Sequence, residues 1–159
     1  MKPLIVLIIT FCIAILINKI VNGNYNLALS GRIAMAVMLA FTAIAHFAYT
    51  TGMSMMIPSF IPFKTELVYL TGIIEIVAAI GLLLPHYRII TGWLLILFFI
   101  LILPANIYAA MYHVDFQQAS LNGKGLTYLW FRVPLQIIFI VWTYLSAVKT
   151  SLVETHLSF

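Results

Sequence analysis

The stretch Ile89–Met111 reads IITGWLLILFFILILPANIYAAM and contains no charged side chain. As a helix rising about 1.5 Å per residue it is roughly 35 Å long, enough to cross the ~30 Å hydrocarbon core of a bilayer. Four further apolar runs surround it, at about Pro3–Ile17, Arg32–Tyr49, Thr65–Pro85 and Leu126–Val148. The composition of the 159 residues agrees: 64% are hydrophobic, 8% are charged, and mean hydropathy is +1.14. A soluble domain carries roughly 25% charged residues, so a water-facing surface cannot be assembled from this set. A soluble enzyme, a nucleic-acid binder and a disordered chain are excluded. The reading is an all-α integral membrane protein with five spans, whose first partner is the lipid bilayer.

The connections are short. Lys2 precedes the first run and Asn18-Lys19 follow it, a layout that also suits a signal peptide. Val21-Asn22-Gly23 marks a cleavage site poorly, so the run reads as an uncleaved span. Asn22 to Asn26 form a turn. The loop Met56-Ile-Pro58-Ser-Phe-Ile-Pro62-Phe is apolar, which places it in the membrane interface or folded back over the bundle. His86-Tyr87-Arg88 is a tight turn that makes spans three and four a hairpin, and Pro104 and Pro134 mark kinks.

Eight basic residues against four acidic ones give a net charge of +4, and no Lys/Arg cluster offers a nucleic-acid patch. Lys19, Arg32, Arg88 and Lys149 fall on one side of the spans, and Lys2, Lys64 and Lys124 on the other. Basic residues favour the cytoplasmic side, so the first set faces inward and the amino terminus outward. The single cysteine, Cys12, reads as a small buried hydrophobe. Thiol chemistry would need a partner protein.

Only Glu75 and Arg132 fall well inside the spans, where each costs on the order of 2.5–3.5 kcal/mol at the bilayer centre. Glu75 lies about ten residues, or roughly 15 Å, in from the Lys64 end of its span. Arg132 lies about six residues, or roughly 9 Å, in from the Lys124 end. His46 and Asn106 finish near the same level, and Gln136 is one turn deeper than Arg132. Tyr128, Arg132 and Gln136 make one stripe at a spacing of four, and Tyr108 follows Asn106 closely. The opposite half has no comparable set. Thr71, Gly72, Ala78 and Ala79 beside Glu75 let a neighbouring helix approach closely. The set fits a structural Glu75–Arg132 ion pair buttressed by Asn106 and His46, and equally a pocket for a ligand or redox cofactor. No His, Cys or carboxylate spacing suggests a metal, and no Ser/His/Asp set, P-loop or dinucleotide motif is present. Trp93, Trp130, Tyr69, Tyr108, Tyr112 and Tyr128 lie toward span ends, as an interfacial belt does.

These residues resemble the DoxX family of small bacterial membrane proteins. The matching segments are His46-Phe47, Met56-Ile-Pro58-Ser-Phe-Ile-Pro62, Tyr69-Leu-Thr-Gly72-Ile-Ile-Glu75 and Gly81-Leu-Leu-Leu-Pro85. They continue through Arg88, Trp93, Pro104-Ala-Asn106-Ile-Tyr108 and Trp130-Phe-Arg132-Val-Pro134-Leu-Gln136. The match runs in the family's order over about residues 32–147. It implies a four-helix transmembrane bundle at 32–148, an additional N-terminal transmembrane helix at 1–22 and a short C-terminal tail at 149–159. The first helix departs from the usual pattern. So does Thr42-Ala43-Ile44-Ala45, where a glycine often precedes the His-Phe pair. The resemblance implies a multi-pass protein of the bacterial plasma membrane. Relatives include a membrane subunit of an archaeal thiosulfate:quinone oxidoreductase and membrane partners in thiol-redox complexes. It implies that Glu75, Asn106, Arg132 and Gln136 line a site, with quinone as ligand and a redox protein as partner. Arg132, His46 or Gln136 would donate to quinone oxygens, and Glu75 would relay a proton. The residues themselves also suit a non-enzymatic scaffold, or a carrier of a lipid or small apolar solute. Whether the chain is an enzyme stays open.

Overall fold

The structure, a computed structural model, describes residues 2–149. Of the expected tail at 149–159, only Lys149 is therefore described, at the end of the last helix. Six α-helices follow in order: α1 (Lys2–Asn22), α2 (Leu27–Ala48), α3 (Thr50–Ser54), α4 (Lys64–Leu83), α5 (Arg88–Met111) and α6 (Leu129–Thr143). A 3₁₀ turn at Gly125–Tyr128 leads into α6, and a π-helical turn at Tyr144–Lys149 extends it. Among the described residues no strand forms, only an isolated bridge between Asp115 and Ser120. Among the described residues, five helices are long and apolar enough to cross a membrane: α1, α2, α4, α5 and α6 with its flanking turns. The chain is a multi-pass membrane protein by that criterion.

Burial is inverted relative to a protein in water. Ile44, Val77, Leu94, Leu101 and many other large apolar side chains are exposed, whereas Ser30, Arg32, Glu75, Asn106 and Gln136 are buried. Lipid accepts the apolar surface, and each buried polar group needs a partner inside the protein. The packing runs α2 on α4, α4 on α5 and α5 on α6, and the π-turn after α6 comes back against α2. α1 lies along α2. Its Leu7 is fully buried in the same apolar core as Met35, Leu39, Phe98 and Phe139.

The half of the bundle near Lys19 and Lys149 is not devoid of polar groups, contrary to the reading from depth. Asn26 caps α2, its side chain accepting from the Leu29 backbone N–H at 2.9 Å, so the helix starts at Leu27 rather than at Arg32. Arg32 thereby moves from the interface into the helix, where it is 7% exposed and its Nη1 donates to the Ser146 carbonyl at 3.1 Å. Beside it, Asn18 Nδ2 donates to Ser30 Oγ at 2.9 Å and to the Ala14 carbonyl at 3.0 Å. Trp142 Nε1 donates to the Gly31 carbonyl at 3.0 Å. These bonds tie α1, α2 and the end of α6 together. Cys12 is also corrected: it is exposed, because α1 turns Leu7, Ala14 and Asn18 inward and Cys12 lies off that face. An Asn18→Ala variant strips Ser30 of its partner, and a loss of about 0.5–1.5 kcal/mol is expected for the α1–α2 contact. Unfolding in mixed micelles against the native chain measures it.

At the opposite end the apolar loop folds back over the bundle. Gly52 of α3 sits under the Phe116 carbonyl so closely that a Cβ at this position would lie 1.9 Å from that oxygen. The Tyr49 ring meets Phe116 edge-on at 6.1 Å. The two long connections, 49–63 and 112–124, are therefore knit to each other across the bundle end. Chain direction reverses out of the first at Phe63, whose φ of 55° is left-handed.

Candidate functional site

Below that strap lies a cavity of about 700 Å³, within the ordinary range of small-molecule pockets. Met53, Met56, Ile57 and Ile61 of the strap border it, as do Phe98, Phe99 and Phe139 from the helices. The polar side chains on its walls are Thr42, His46, Thr71, Glu75, Asn106, Gln117, Arg132 and Gln136, with Lys2 of α1 at the rim. Of the seven candidate side chains, the five picked out by depth arithmetic, Glu75, Arg132, Asn106, Gln136 and His46, share one chamber.

Their pairing differs from the expected one. No Glu75–Arg132 ion pair forms among the described residues. The Glu75 Oε2 atom faces His46 Nε2 at 3.6 Å, and Arg132 Nε donates to Asn106 Oδ1 at 3.2 Å. The reason is lateral order. Gly72 allows α4 to press on α2 at His46, where a Cβ on residue 72 would come within 2.9 Å of the His46 Cβ. Arg132 on α6 instead has α5 as its close neighbour, and with it Asn106. Gln136 reaches the same helix, Nε2 donating to the Phe99 carbonyl at 2.5 Å.

The histidine has a defined role. Its Nδ1 lies 3.2 Å from the Val68 carbonyl and 3.0 Å from Thr71 Oγ1. A carbonyl only accepts, and the Thr71 hydroxyl spends its hydrogen on the Leu67 or Val68 carbonyl. In the tautomer with Nδ1 protonated, that nitrogen donates to the Val68 carbonyl. Nε2 is left to face Glu75, so a neutral His46 offers a lone pair and a charged one offers a proton.

Glu75 is 5% exposed, and its Oε2 has no hydrogen-bond partner. An unmet buried carboxylate oxygen is costly, which marks this atom out from the satisfied polar groups of the opposite half. Across the chamber, Arg132 carries N–H donors beyond the one spent on Asn106, and its guanidinium lies 5.3 Å above the Tyr128 ring. Tyr128 therefore acts on the site through Arg132 without lining the cavity. Tyr108 does not come to the chamber and stacks on Tyr112 at 4.3 Å between ring centres. The apolar roof was not among the candidate residues, although Pro58, Pro62 and the apolar residues around them signalled an unusual loop. Among the described residues no three His, Cys, Asp or Glu side chains come together as a metal would need.

A family described as a domain of unknown function (DUF8561) matches residues 35–147. The chain belongs to that family. No curated protein and no solved structure matches it. The DUF8561 match covers the five candidate residues that share the chamber and the strap above them, and it begins inside α2, leaving α1 outside. Leu7 of that helix nonetheless enters the common core.

Proposed function

We propose that this DUF8561 chain is a DoxX-like membrane subunit that binds a quinone-class ligand in the chamber beneath the strap, beside a redox partner protein. In this reading α2, α4, α5 and α6 make a four-helix transmembrane bundle, α1 is an additional helix, and the protein sits in a bacterial plasma membrane. The observation that carries the reading is the orphaned Glu75 Oε2 in a mostly apolar cavity whose other wall bears Arg132. An apolar chamber with a few convergent polar groups is the usual form of a small-molecule site.

The residues fit such a ligand from two sides. Arg132 and the Asn106 amide offer N–H donors to a carbonyl oxygen, held in place by their mutual bond and by Tyr128. Glu75 Oε2, backed by His46 Nε2, can accept a hydroxyl proton or return one. Gln136 is committed to the Phe99 carbonyl and keeps α5 and α6 in register. A quinone, when bound, supplies a couple that gains or loses protons together with electrons. The electrons pass to or from the partner protein.

Lipids extracted from the purified protein and weighed by mass spectrometry test this. Near one quinone per chain is expected from the native protein, and at least tenfold less from a folded Arg132→Ala variant. Bulk phospholipid alone in both would overturn the reading. A Glu75→Gln variant is expected to keep the ligand and slow quinone-linked turnover at least tenfold. Undiminished turnover in a folded variant would remove the proton role.

A second reading, a scaffold or a carrier of a lipid or apolar solute, draws support from the Arg132–Asn106 and Gln136–Phe99 bonds, which cross-link α5 to α6. It leaves Glu75 Oε2 without a purpose.

A further inference from the structure

We infer that the groove between α1, α2 and the end of α6 seats one phospholipid with an acidic head, its acyl chain along the groove and its head at Lys149 and Lys19. The groove lies at the opposite end of the bundle from the chamber and does not depend on what the chamber binds. It holds about 300 Å³, bordered by Phe11 of α1, Leu27 and Ala28 of α2, and Trp142 and Leu145 at the α6 end. Its polar groups are turned on one another. Trp142 Nε1 donates to the Gly31 carbonyl at 3.0 Å, and Ser146 Oγ donates to the Trp142 carbonyl at 2.7 Å. The groove therefore presents hydrocarbon rather than hydrogen-bonding groups to its occupant.

All three elements belong to membrane spans, so the groove meets lipid. Leu27 and Leu145, exposed at 59% and 48%, stand toward the helix ends. The Phe11 and Trp142 rings, edge-on at 4.8 Å between centres, close the deep end. Phe11 lies about eleven residues, or roughly 16 Å, from the Asn22 end of α1. The groove thus runs from the interface toward the mid-plane, which is the path of an acyl chain. A gap left empty there forfeits dispersion contacts on one side, and a chain of the adjoining leaflet fills it.

Charge selects the head. The described carboxylates all lie toward the other end: Glu66 in the first turn of α4, Glu75 in the chamber and Asp115 in the far loop. Lys19, Arg32, Arg88 and Lys149 stand at this end. Arg32 turns inward to the Ser146 carbonyl, whereas Lys19 and Lys149 are exposed. Lys149 follows Leu145 by about one turn. Lys19 is held at the α1–α2 turn, its Nζ donating to the Gly23 carbonyl at 3.1 Å and lying 4.7 Å from the centre of the Tyr25 ring. An ammonium has three N–H donors, so both lysines can meet a phosphate. Basic groups at the end of a cleft between membrane helices recognise acidic lipid heads.

The test uses full-length protein in nanodiscs of equimolar phosphatidylglycerol and phosphatidylcholine with identical acyl chains. Native mass spectrometry after release into mild detergent counts the lipids that stay bound. Near one phosphatidylglycerol per chain is expected, retained at least tenfold over phosphatidylcholine. Ala28→Phe sets a ring in the groove and is expected to lower that retention at least tenfold. Lys19→Gln with Lys149→Gln changes two exposed side chains and leaves the groove intact. It is expected to keep a bound lipid while the preference between the two heads falls below twofold. Equal retention of both lipids by the native chain would overturn the site. So would undiminished retention in a folded Ala28→Phe variant, or an unchanged preference in the double lysine variant.

Discussion

A chain carrying His46→Leu with Glu75 intact is expected to lose on the order of 3 kcal/mol of stability, the typical cost of breaking a buried ionic pair by removing one partner. Glu75 is 5% exposed and its Oε2 has no hydrogen-bond partner, so His46 Nε2 at 3.6 Å is the group that compensates it. Replacing both, His46→Leu with Glu75→Leu, is expected to recover most of the loss, because two apolar side chains of similar size need no compensation. Equilibrium unfolding in mixed micelles reads the stability, and co-purified quinone reads the site. The double variant should fold and hold no quinone. If it retains the ligand, the pair is structural and does not hold the quinone. If His46→Leu alone costs nothing, His46 is not the partner of Glu75.

Gly52→Ala is expected to have the second large effect, confined to the strap. The added Cβ would meet the Phe116 carbonyl oxygen at 1.9 Å and its carbon at 2.5 Å. Those are backbone atoms, which cannot swing aside as a side-chain tip can. Overpacking typically costs about 1–3 kcal/mol, and a segment of low local stability yields before the helices do. Loop 49–63 should therefore lift while the helical content stays constant. Limited proteolysis within 53–61 is expected to speed up at least tenfold, with loss of co-purified quinone. Ser54→Ala, whose hydroxyl bonds only the Thr51 carbonyl in its own turn, is the control and should leave both unchanged. Proteolysis equal in the two variants would show that Gly52 does not anchor the strap.

The spans were legible because charge-free runs such as 89–111 have one physical outlet, a helix in lipid. The meeting of Glu75, His46, Asn106, Arg132 and Gln136 was legible for a related reason. Rise per residue converts distance from a span end into depth, and these five share a depth. The fold-back of the apolar loop was one of two readings that its composition allowed. The Asn26 cap had a recognisable signal, a capping residue ahead of an apolar run, and following it would have put Arg32 inside α2.

What the chain order alone determined is therefore axial: how many helices, how long, and which polar groups stand at which level. Lateral order was decided only by the tertiary structure. Depth says nothing about which helix stands beside which, and so the opposite charges Glu75 and Arg132 looked like partners. Packing made α2 the neighbour of α4 through the bare face of Gly72, and α5 the neighbour of α6. That choice gave the carboxylate a histidine and the guanidinium an amide. It left a chamber bordered by both pairs. Side-chain shape at helix contacts, summed over many small dispersion terms, sets that order, and no single residue announces it.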